Sequence, residues 1–358
     1  MMNIDCEIKS LSDYCENRGL PIKYFHKNEP VSKFTNIPRT LDTEIHWMHK
    51  EYLCEIREYQ AEDSYVAELK NTKIFGYNPV GSNKILTDKN ELIKSASTSY
   101  KQNENRKFKN QEVIKGTSVI LASDSSSVYF HWMLQVLPRI KLLNEYKIDW
   151  DNIEKIILPQ TFGLKFHNQT FDHLKIPKEK ILKIKPNSFV ECENLIISSI
   201  PVKNIFFSKW VYDFLKENFL KKQKKHHDKI YVSRGKTNAR NINNEEEVFS
   251  FLKERGFNRI YMEDYDVFTQ ADIFNSAKEI VCPHGSCLAN LAFCELQTKI
   301  LEFFSPNYVT PLYWSMANDL DLDYSYLIGQ GNRPPEGEDP HLGKENITID
   351  IKELERLI

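Results

Sequence analysis

The feature that most constrains this chain is a recurring pair: a short apolar run that ends in turn residues, followed by a helical period. In the second half, the runs at 229–234, 259–262, 279–282, 299–304 and 324–328 are predicted as strands. Helical spacing separates them, from Asn244 onward and at 269–277, 286–294 and 311–320. Because parallel strands need helical crossovers, this pattern predicts an α/β fold with a parallel sheet covered on both faces.

The first half shows a looser version of the same pattern. Strands are predicted at 117–122, 155–159, 181–184 and 194–199, with helices at 130–146 and 162–174. Pro138 should bend or restart the first of these helices. Before them, residues 1–110 indicate a β-rich N-terminal region, and the polar stretch 101–112 is expected to be a surface loop or mobile link.

Length and pattern together predict two domains. A chain of 358 residues is long for one average domain. A helix predicted at 206–220 opens the second half, so we expect an N-terminal domain at 1–204 and a C-terminal domain at 205–358. Within the latter, 329–345 is expected to be a loop, and 347–358 a strand and helix.

Charge and composition argue against several classes of protein. The net charge of −2 lacks the basic excess of a general nucleic-acid binder. The N-terminus has no signal-peptide pattern and no segment resembles a membrane span, so a cytoplasmic location is expected. The seven cysteines are scattered along the chain and are interpreted as reduced, mostly buried thiols. The basic run at 221–225 is interpreted as a solvated helix end, with docking of an anionic lipid or acceptor as the alternative.

The most informative motif is Pro283-His284-Gly285, placed between a buried strand and a helix that starts near Ser286. Ligands of open parallel sheets bind at the carboxyl ends of strands. Glycine permits close approach to the backbone, and free amides at a helix start favour an anion such as diphosphate. His284 could donate to a phosphate or act as acid or base. An ordinary turn with a capping histidine remains the alternative.

Two further interpretations of this stretch concern its cysteines. Cys282, His284, Cys287 and Cys294 could suggest zinc, although their spacing fits no common structural zinc pattern. Cys287 could be a nucleophile paired with His284, but it falls in an apolar helical pattern that favours a buried structural thiol.

Two other stretches carry candidate functional residues. Arg234 ends a predicted strand, where its planar guanidinium suits phosphate, and Lys236 and Arg240 lie in the adjoining loop, where solvated surface positions are the alternative. In the first half, His131 opens a helix after the polar loop 123–127. Beside Trp132, it could instead be a satisfied core histidine.

Taken together, these stretches resemble glycosyltransferase family 61. That family includes plant xylan arabinosyl- and xylosyltransferases, animal O-linked N-acetylglucosaminyltransferases acting on EGF domains or dystroglycan, and bacterial capsule or lipopolysaccharide enzymes. The similarity extends from about residue 65 to 358 and is carried by Phe130-His131-Trp132-Met133-Leu134, Leu137-Pro138-Arg139, Tyr231-Val232-Ser233-Arg234, Arg240, Asn244-Glu245, Gln270, Ala277, Pro283-His284-Gly285, Leu288, Asn290 and Leu301-Glu302.

The resemblance implies a GT-B fold, with two facing Rossmann-like domains and the active site between them. It implies an inverting reaction and a nucleotide-sugar donor, expected to be UDP-linked, held mainly by the C-terminal domain. On this basis Arg234 binds the diphosphate, His284 and the amides from Gly285 onward complete that pocket, and Gln270 and Glu302 lie near base or ribose. The implied donor-binding set is Arg234, Arg240, Gln270, His284, Gly285, Ser286, Asn290 and Glu302.

His131 is expected on the acceptor side, and there the sequence departs from the family pattern. The family commonly has Asn where this chain has Val128, and often Asp or Glu where it has Gln135. An inverting transfer needs a general base near the acceptor hydroxyl. Gln135 cannot serve, which leaves His131 and Asp124 as the catalytic candidates, or else means weak or lost catalysis.

The expected function is therefore an inverting glycosyltransferase of surface polysaccharide biosynthesis. It is expected to need no cofactor and no metal, because fixed cations face the leaving group; Asp264-Tyr265-Asp266 is interpreted as an acidic loop and not a metal motif. Its expected partners are the donor and a glycan or lipid-linked glycan acceptor, with at most peripheral contact at the inner face of the membrane. The alternatives are a non-catalytic sugar-nucleotide-binding protein of a polysaccharide assembly system and another GT-B enzyme, such as a nucleotide-sugar epimerase.

Overall fold

The computed structural model describes residues 6–27, 29, 32–42, 44–60, 63–97, 107–203, 205–222 and 225–358. Its strands are, in chain order, β1 Cys6–Ile8, β2 Ile22–Phe25, β3 Ser32–Lys33, β4 Glu58–Tyr59, β5 Ser64–Gly76, β6 Asn83–Leu86, β7 Glu91–Ile93, β8 Lys109–Ile120, β9 Ile153–Pro159, β10 Ile181–Ile184, β11 Ser188–Ser198, β12 Val202–Lys203, β13 Phe206–Phe207, β14 Lys229–Val232, β15 Asn258–Ile260, β16 Glu279–Pro283, β17 Lys299–Phe304 and β18 Asp323–Ile328.

The helices are of three kinds. The α-helices are α1 Leu11–Arg18, α2 Trp47–Lys50, α3 Tyr129–His131, α4 Leu137–Tyr146, α5 Lys165–His173, α6 Lys209–Phe219, α7 Glu245–Lys253, α8 Val267–Ser276, α9 Leu312–Asp319 and α10 Ile351–Glu355. Two π-helical turns span Glu51–Ile56 and Trp132–Val136, and 3₁₀-helices span Lys94–Ala96, Lys178–Lys180, Met262–Asp264 and Ser286–Phe293. The fold is thus mixed α/β, in agreement with the class that the sequence predicts.

The chain forms two compact units. The first comprises Met1–Glu29 and Glu62–Val202, and the second comprises Pro30–Ala61 and Lys203–Ile358. From the sequence we expected domains at 1–204 and 205–358, so the change near residue 203 lies close to the expected boundary. Residues 30–61, expected in the first domain, instead pack with the second unit.

The first unit is built on one mixed sheet in the order β1-β7-β6-β5-β11-β8-β9-β10, with β2 also pairing β5. Strands β11, β8, β9 and β10 are mutually parallel, as the alternation of strands and helices in the sequence predicts. β5 runs antiparallel to β11, so this sheet departs from a purely parallel Rossmann-like sheet. Strands β1, β2, β5, β6 and β7 of the β-rich N-terminal region are therefore part of the same sheet. The apolar core of this unit includes Ala67, Leu69 and Ile197.

Pro138 explains the irregular helix that follows β8. Proline has no N–H and clashes with the preceding turn, so a regular helix cannot run through it. The chain forms one turn at α3 and a π-helical turn at Trp132–Val136, and α4 then begins with Pro138 in its first turn. The predicted restart at Pro138 is confirmed.

The second unit contains a five-stranded sheet in the order β15-β14-β16-β17-β18, in which every neighbouring pair is parallel. By chain order this is 2-1-3-4-5, a doubly wound arrangement. From β14 the chain moves to one side for β15 and then to the other side for β16. The order of strands therefore reverses between β14 and β16, and ligands of such sheets bind outside the carboxyl ends of the strands at this point.

The segment of residues 32–60 packs on the far edge of this sheet. Arg39 exchanges backbone hydrogen bonds with β18, donating to the Tyr324 carbonyl and accepting from the Tyr326 amide. Phe34 stacks on Trp314, with ring centroids 4.8 Å apart, and the Trp314 indole donates to the Asn36 carbonyl. The segment thus pairs with an edge strand that would otherwise expose backbone groups.

Four predicted elements differ from the structure. Residues 109–112, expected in a loop, begin β8, whereas 98–106 lie outside the described residues. The helix predicted from 206 begins at Lys209, after the short strand β13. The helix predicted at 286–294 is a 3₁₀-helix, and the strand predicted from 347 is reduced to a single bridge between Ile242 and Ile347.

Candidate functional site

The candidate site lies where β14 and β16 end side by side. β14 pairs with β16 through Tyr231 and Val281. Arg234 follows β14 after one intervening residue, and residues 283–285 form the end of β16 and the turn after it. Because parallel neighbours end at the same edge, the two predicted motifs meet at the point where the strand order reverses.

Arg234 lies directly against Gly285. A Cβ atom added to Gly285 would sit 2.0 Å from Nη1 of Arg234 and 3.1 Å from its Cζ. The backbone of Gly285 is extended, with φ of −180°, so any residue could adopt its conformation. A side chain here would displace the guanidinium, so the glycine leaves the space that Arg234 occupies. Arg234 Nε donates to the Ala239 carbonyl at 3.0 Å, which fixes the plane of the group.

Arg240 brings a second guanidinium to the same turn. Its Nε donates to the His284 carbonyl at 2.8 Å, and its Nη1 donates to the Gly343 carbonyl. Burial lowers the pKa of Arg240, and the positive charge of Arg234 lowers it further. Neither arginine forms an ion pair with a carboxylate within the described part of the chain. Two cations that are not neutralised by acidic side chains create a local site for an anion.

His284 is held by a buried carboxylate. Its Nδ1 lies 2.5 Å from Oε1 of Glu302, and the other oxygen of Glu302 accepts from the Tyr324 hydroxyl at 2.5 Å. Since a carboxylate only accepts, His284 carries its proton on Nδ1, which orients the ring. Tyr313 packs against this ring, with centroids 5.2 Å apart.

This arrangement gives Glu302 a different position from the one the resemblance implies. We expected Glu302 near base or ribose, but its side chain is completely buried and both carboxylate oxygens are engaged. Glu302 therefore positions His284. His284 itself is 6% exposed.

Gln270 and Asn290 bind each other. Asn290 Nδ2 donates to Oε1 of Gln270 at 3.1 Å, while Gln270 Nε2 donates to the Met262 and Tyr265 carbonyls. Asn290 is fully buried, so this pair ties the 3₁₀-helix after the turn to α8. Ser286, by contrast, is partly exposed at the start of the 3₁₀-helix, next to Gly285.

His131 and Asp124 lie in the first unit. His131 Nδ1 donates to Oε1 of Gln135 at 2.9 Å, and the same oxygen accepts from the Ser123 hydroxyl at 3.2 Å. Gln135, which cannot act as a base, therefore fixes the tautomer of His131 and leaves Nε2 as its proton-accepting atom. Asp124 accepts from the Ser82 hydroxyl at 2.6 Å.

The structure also decides the roles of several charged side chains near the site. Both oxygens of Asp264 accept from Lys236, and Asp266 caps α8 by accepting from the Thr269 amide at 2.7 Å. The acidic loop is thus used structurally. No group of three or more His, Cys, Asp or Glu side chains among the described residues is arranged to hold a metal ion. Lys222 pairs with Glu295 at the basic helix end.

Sequence reasoning missed Tyr324, which completes the support of His284. The sequence did contain a signal, because Tyr324 and Tyr326 are two positions apart in a predicted strand and therefore lie on the same face of the sheet. In the register of the sheet, Ile300 lies opposite Tyr324 and Glu302 opposite Tyr326. That register depends on tertiary pairing and could not be read from one strand.

The second sheet of this α/β fold thus carries a cationic turn at its switch point. The family described as Glycosyltransferase 61 matches residues 129–301, from the helix of His131 to β17. The resemblance noted from the motifs is confirmed by this match. A comparison with curated proteins found no match. Across the described residues, every helix is too short or too polar to traverse a lipid bilayer.

Proposed function

We propose that the chain is an inverting glycosyltransferase that moves a sugar from a nucleotide-sugar donor, expected to be UDP-linked, to a glycan acceptor. The observation that carries this proposal is the Arg234 guanidinium packed on Gly285 at the switch point of the second sheet. The diphosphate of a sugar nucleotide is the ligand that best matches two adjacent guanidinium groups and the amides of Gly285 and Ser286. The family of residues 129–301 supports the same reaction class.

The chemistry follows from where charge develops. As the bond to the anomeric carbon breaks, negative charge grows on the leaving diphosphate. Arg234 and Arg240 are held by backbone carbonyls before the donor arrives, so they offset this charge without reorganisation. We propose that these fixed cations do the work that a divalent metal does in other transferases. Glu302 and Tyr324 keep His284 and its carbonyl in place beneath Arg240.

For the acceptor, we propose His131 as the general base. Inversion requires a base to take the proton of the attacking hydroxyl. Gln135 holds the ring so that Nε2 accepts. Asp124 is the weaker candidate, because one carboxylate oxygen is already bound by Ser82.

The biological setting is part of the same proposal. We propose a GT-B arrangement of the two units, an acceptor that is a glycan or lipid-linked glycan, and a role in surface polysaccharide biosynthesis such as capsule or lipopolysaccharide. The reaction would then take place in the cytoplasm or at the inner face of the membrane, with peripheral contact only.

The test is a thermal-shift screen with UDP, GDP, CDP and their sugars. One nucleotide should raise the melting temperature of the wild type, and Arg234→Ala should abolish that shift. Lys236→Ala is the matched control. It removes a cation from the same loop, but this cation is already paired with Asp264. If Arg234→Ala keeps the affinity of the wild type, the diphosphate site has been assigned to the wrong residues.

Catalysis is tested separately from binding. His131→Ala should keep the nucleotide shift and stop transfer, with the stereochemistry of the wild-type product showing inversion. A second function, a non-catalytic sugar-nucleotide-binding protein, is favoured by Gln135 at a position where the family often has an acid. Tight nucleotide binding without transfer or donor hydrolysis by the wild type would support that second function.

A further inference from the structure

Two cysteines flank the turn that carries the candidate site. Cys282 is completely buried in β16, and Cys287 lies in the first turn of the following 3₁₀-helix. Their sulfur atoms are 3.6 Å apart. Residues 283–286, including Gly285 beneath Arg234, form the loop between them.

The two thiols differ in reactivity. Cys287 is partly exposed, and its pKa is lowered chiefly by its hydrogen bond with the Cys282 sulfur, with a further contribution from the positive charge of Arg234. Burial raises the pKa of Cys282. An oxidant from solution therefore meets Cys287 first, in the form that is more easily ionised.

We propose that Cys282 and Cys287 form a reversible disulfide on oxidation by a peroxide, and that this disulfide weakens binding at the Arg234–Gly285 turn. The first part rests on the sulfur–sulfur geometry alone. The second part rests on the proposed function, because it assumes that the turn binds the donor diphosphate.

The reaction is a two-electron oxidation. The Cys287 thiolate attacks one oxygen of hydrogen peroxide, the O–O bond breaks, and Cys287 becomes a sulfenic acid while hydroxide leaves and takes up a proton to form water. The Cys282 sulfur then attacks the Cys287 sulfur and displaces hydroxide, which receives the Cys282 proton as water. Two thiols and one peroxide thus give one disulfide and two waters. A dithiol such as dithiothreitol reverses the change by exchange.

Closing the bond must move the turn. A disulfide has its sulfurs about 2.05 Å apart, so the present separation has to shorten by roughly 1.5 Å. Cys282 is held in the ladder opposite Glu302, in a strand paired on both sides. Cys287 is therefore the partner that moves. Because Gly285 has no free space beside the Arg234 guanidinium, a displaced turn disturbs that contact.

The disulfide is tested by mass spectrometry on the full chain after treatment with hydrogen peroxide. Trypsin should release residues 279–299 as one peptide that contains Cys282, Cys287 and Cys294. After oxidation we expect this peptide to be two hydrogens lighter, with Cys294 alone alkylated by iodoacetamide and fragment ions missing between 282 and 287. Alkylation of all three cysteines, or a bond that involves Cys294, would overturn the proposed pairing.

The effect of the disulfide on binding is tested by measuring the affinity for UDP, or for the nucleoside diphosphate that gives the largest thermal shift. Oxidation should weaken binding by about tenfold or more, since the loss of one hydrogen bond to a charged group changes a binding constant by about that factor. Dithiothreitol should restore the affinity. Cys287→Ser should bind equally before and after peroxide, whereas Cys54→Ser, which removes an exposed thiol elsewhere, should stay sensitive.

The two proposals fail in different ways. A disulfide that forms without any change in nucleotide affinity overturns the regulatory part alone. No nucleotide shift in the fully reduced wild type contradicts the proposed function, and the peptide masses then decide whether the disulfide exists.

Discussion

At the scale of single residues, the candidate site depends on a buried carboxylate. Glu302 is completely buried, and it remains there because His284 and Tyr324 each donate to one of its oxygens. Burying a charged group costs free energy unless such bonds compensate. The ring of His284, the carbonyl that holds Arg240 and the turn above them therefore depend on one interior acid.

Tyr324→Phe should destabilise the second unit by about 2 kcal/mol, because a hydrogen bond to a charged group contributes roughly 1.5–3 kcal/mol. The ring stays in place, so the change isolates the hydroxyl that binds Glu302. Urea unfolding measures it. Tyr308→Phe, whose ring also contacts His284, is the control and should change the free energy of unfolding by less than about 0.5 kcal/mol. Equal losses in both variants would mean that the Tyr324 hydroxyl does not support Glu302.

At the scale of elements, the C-terminal stretch is held to the sheet by the residue that caps α7. Asn244 accepts from the Ile349 amide at 3.0 Å and donates to the Ile349 carbonyl at 2.8 Å. These paired bonds bring Ile347 and Ile349 into the core of the second unit. One amide side chain thereby docks the last residues beside the start of α7.

Asn244→Ala should lower the free energy of unfolding by about 2 kcal/mol, because two bonds to backbone groups are lost together. Hydrogen exchange of the Ile349 amide should accelerate by more than tenfold. The adjacent Asn243→Ala removes one exposed bond to Thr348 and should leave both quantities nearly unchanged. Unaltered exchange at Ile349 in Asn244→Ala would show that other contacts hold the tail.

The sequence predicts the parallel sheet well because buried strands read as short apolar runs. The runs at 299–304 and 181–184 coincide with β17 and β10, and Asn244 is the predicted start of α7. The meeting of Arg234 and Gly285 also follows from strand ends alone. By contrast, the antiparallel pairing of β5 and the docking of 32–60 depend on contacts distant in sequence, which leave no local periodic pattern. The burial of Glu302 was missed for the same reason.

At the scale of the whole molecule, each unit contains a buried histidine that stays neutral. Burial lowers the pKa of His167 in the first unit to about 4 and that of His49 in the second to about 3. His167 is fully engaged, accepting from two amides and donating to the Ser126 carbonyl. Neither ring nitrogen of His49 has a partner among the described residues. The second unit also contains Asp319, whose pKa burial raises to about 7.

The two units should therefore respond differently to acid. In the unfolded chain each histidine has a pKa near 6.5, whereas in the folded unit its pKa is about 4 for His167 and about 3 for His49. The free energy of unfolding of each unit therefore falls as the pH falls from 6.5 towards the pKa of its folded histidine. Asp319 has the opposite sign: folded, it keeps its proton up to about pH 7, so it adds stability as pH falls from 7 to 3.8. In the second unit, Asp319 opposes the loss of stability that comes from His49 and from His46, whose pKa burial also lowers. Among these groups, none opposes His167 in the first unit.

Hydrogen exchange of core amides measures each unit separately. At Ile157 and Leu195 in the first unit, the opening free energy should fall by about 1.4 kcal/mol per pH unit near pH 5. At Val281 and Leu301 in the second unit it should stay nearly constant. His49→Phe should make the second unit more stable as pH falls from 7 to 4, and leave the first unit unchanged. The same slope in both units would contradict these pKa directions.

The second unit is assembled from two separate stretches of chain, 30–61 and 203–358. A hybrid enzyme made by recombination at residue 203 alone would pair the β18 of one parent with the covering segment of the other. Exchange of the second unit between relatives thus calls for two gene fragments inherited jointly, and a library shuffled with a single crossover would be enriched in clones that misfold.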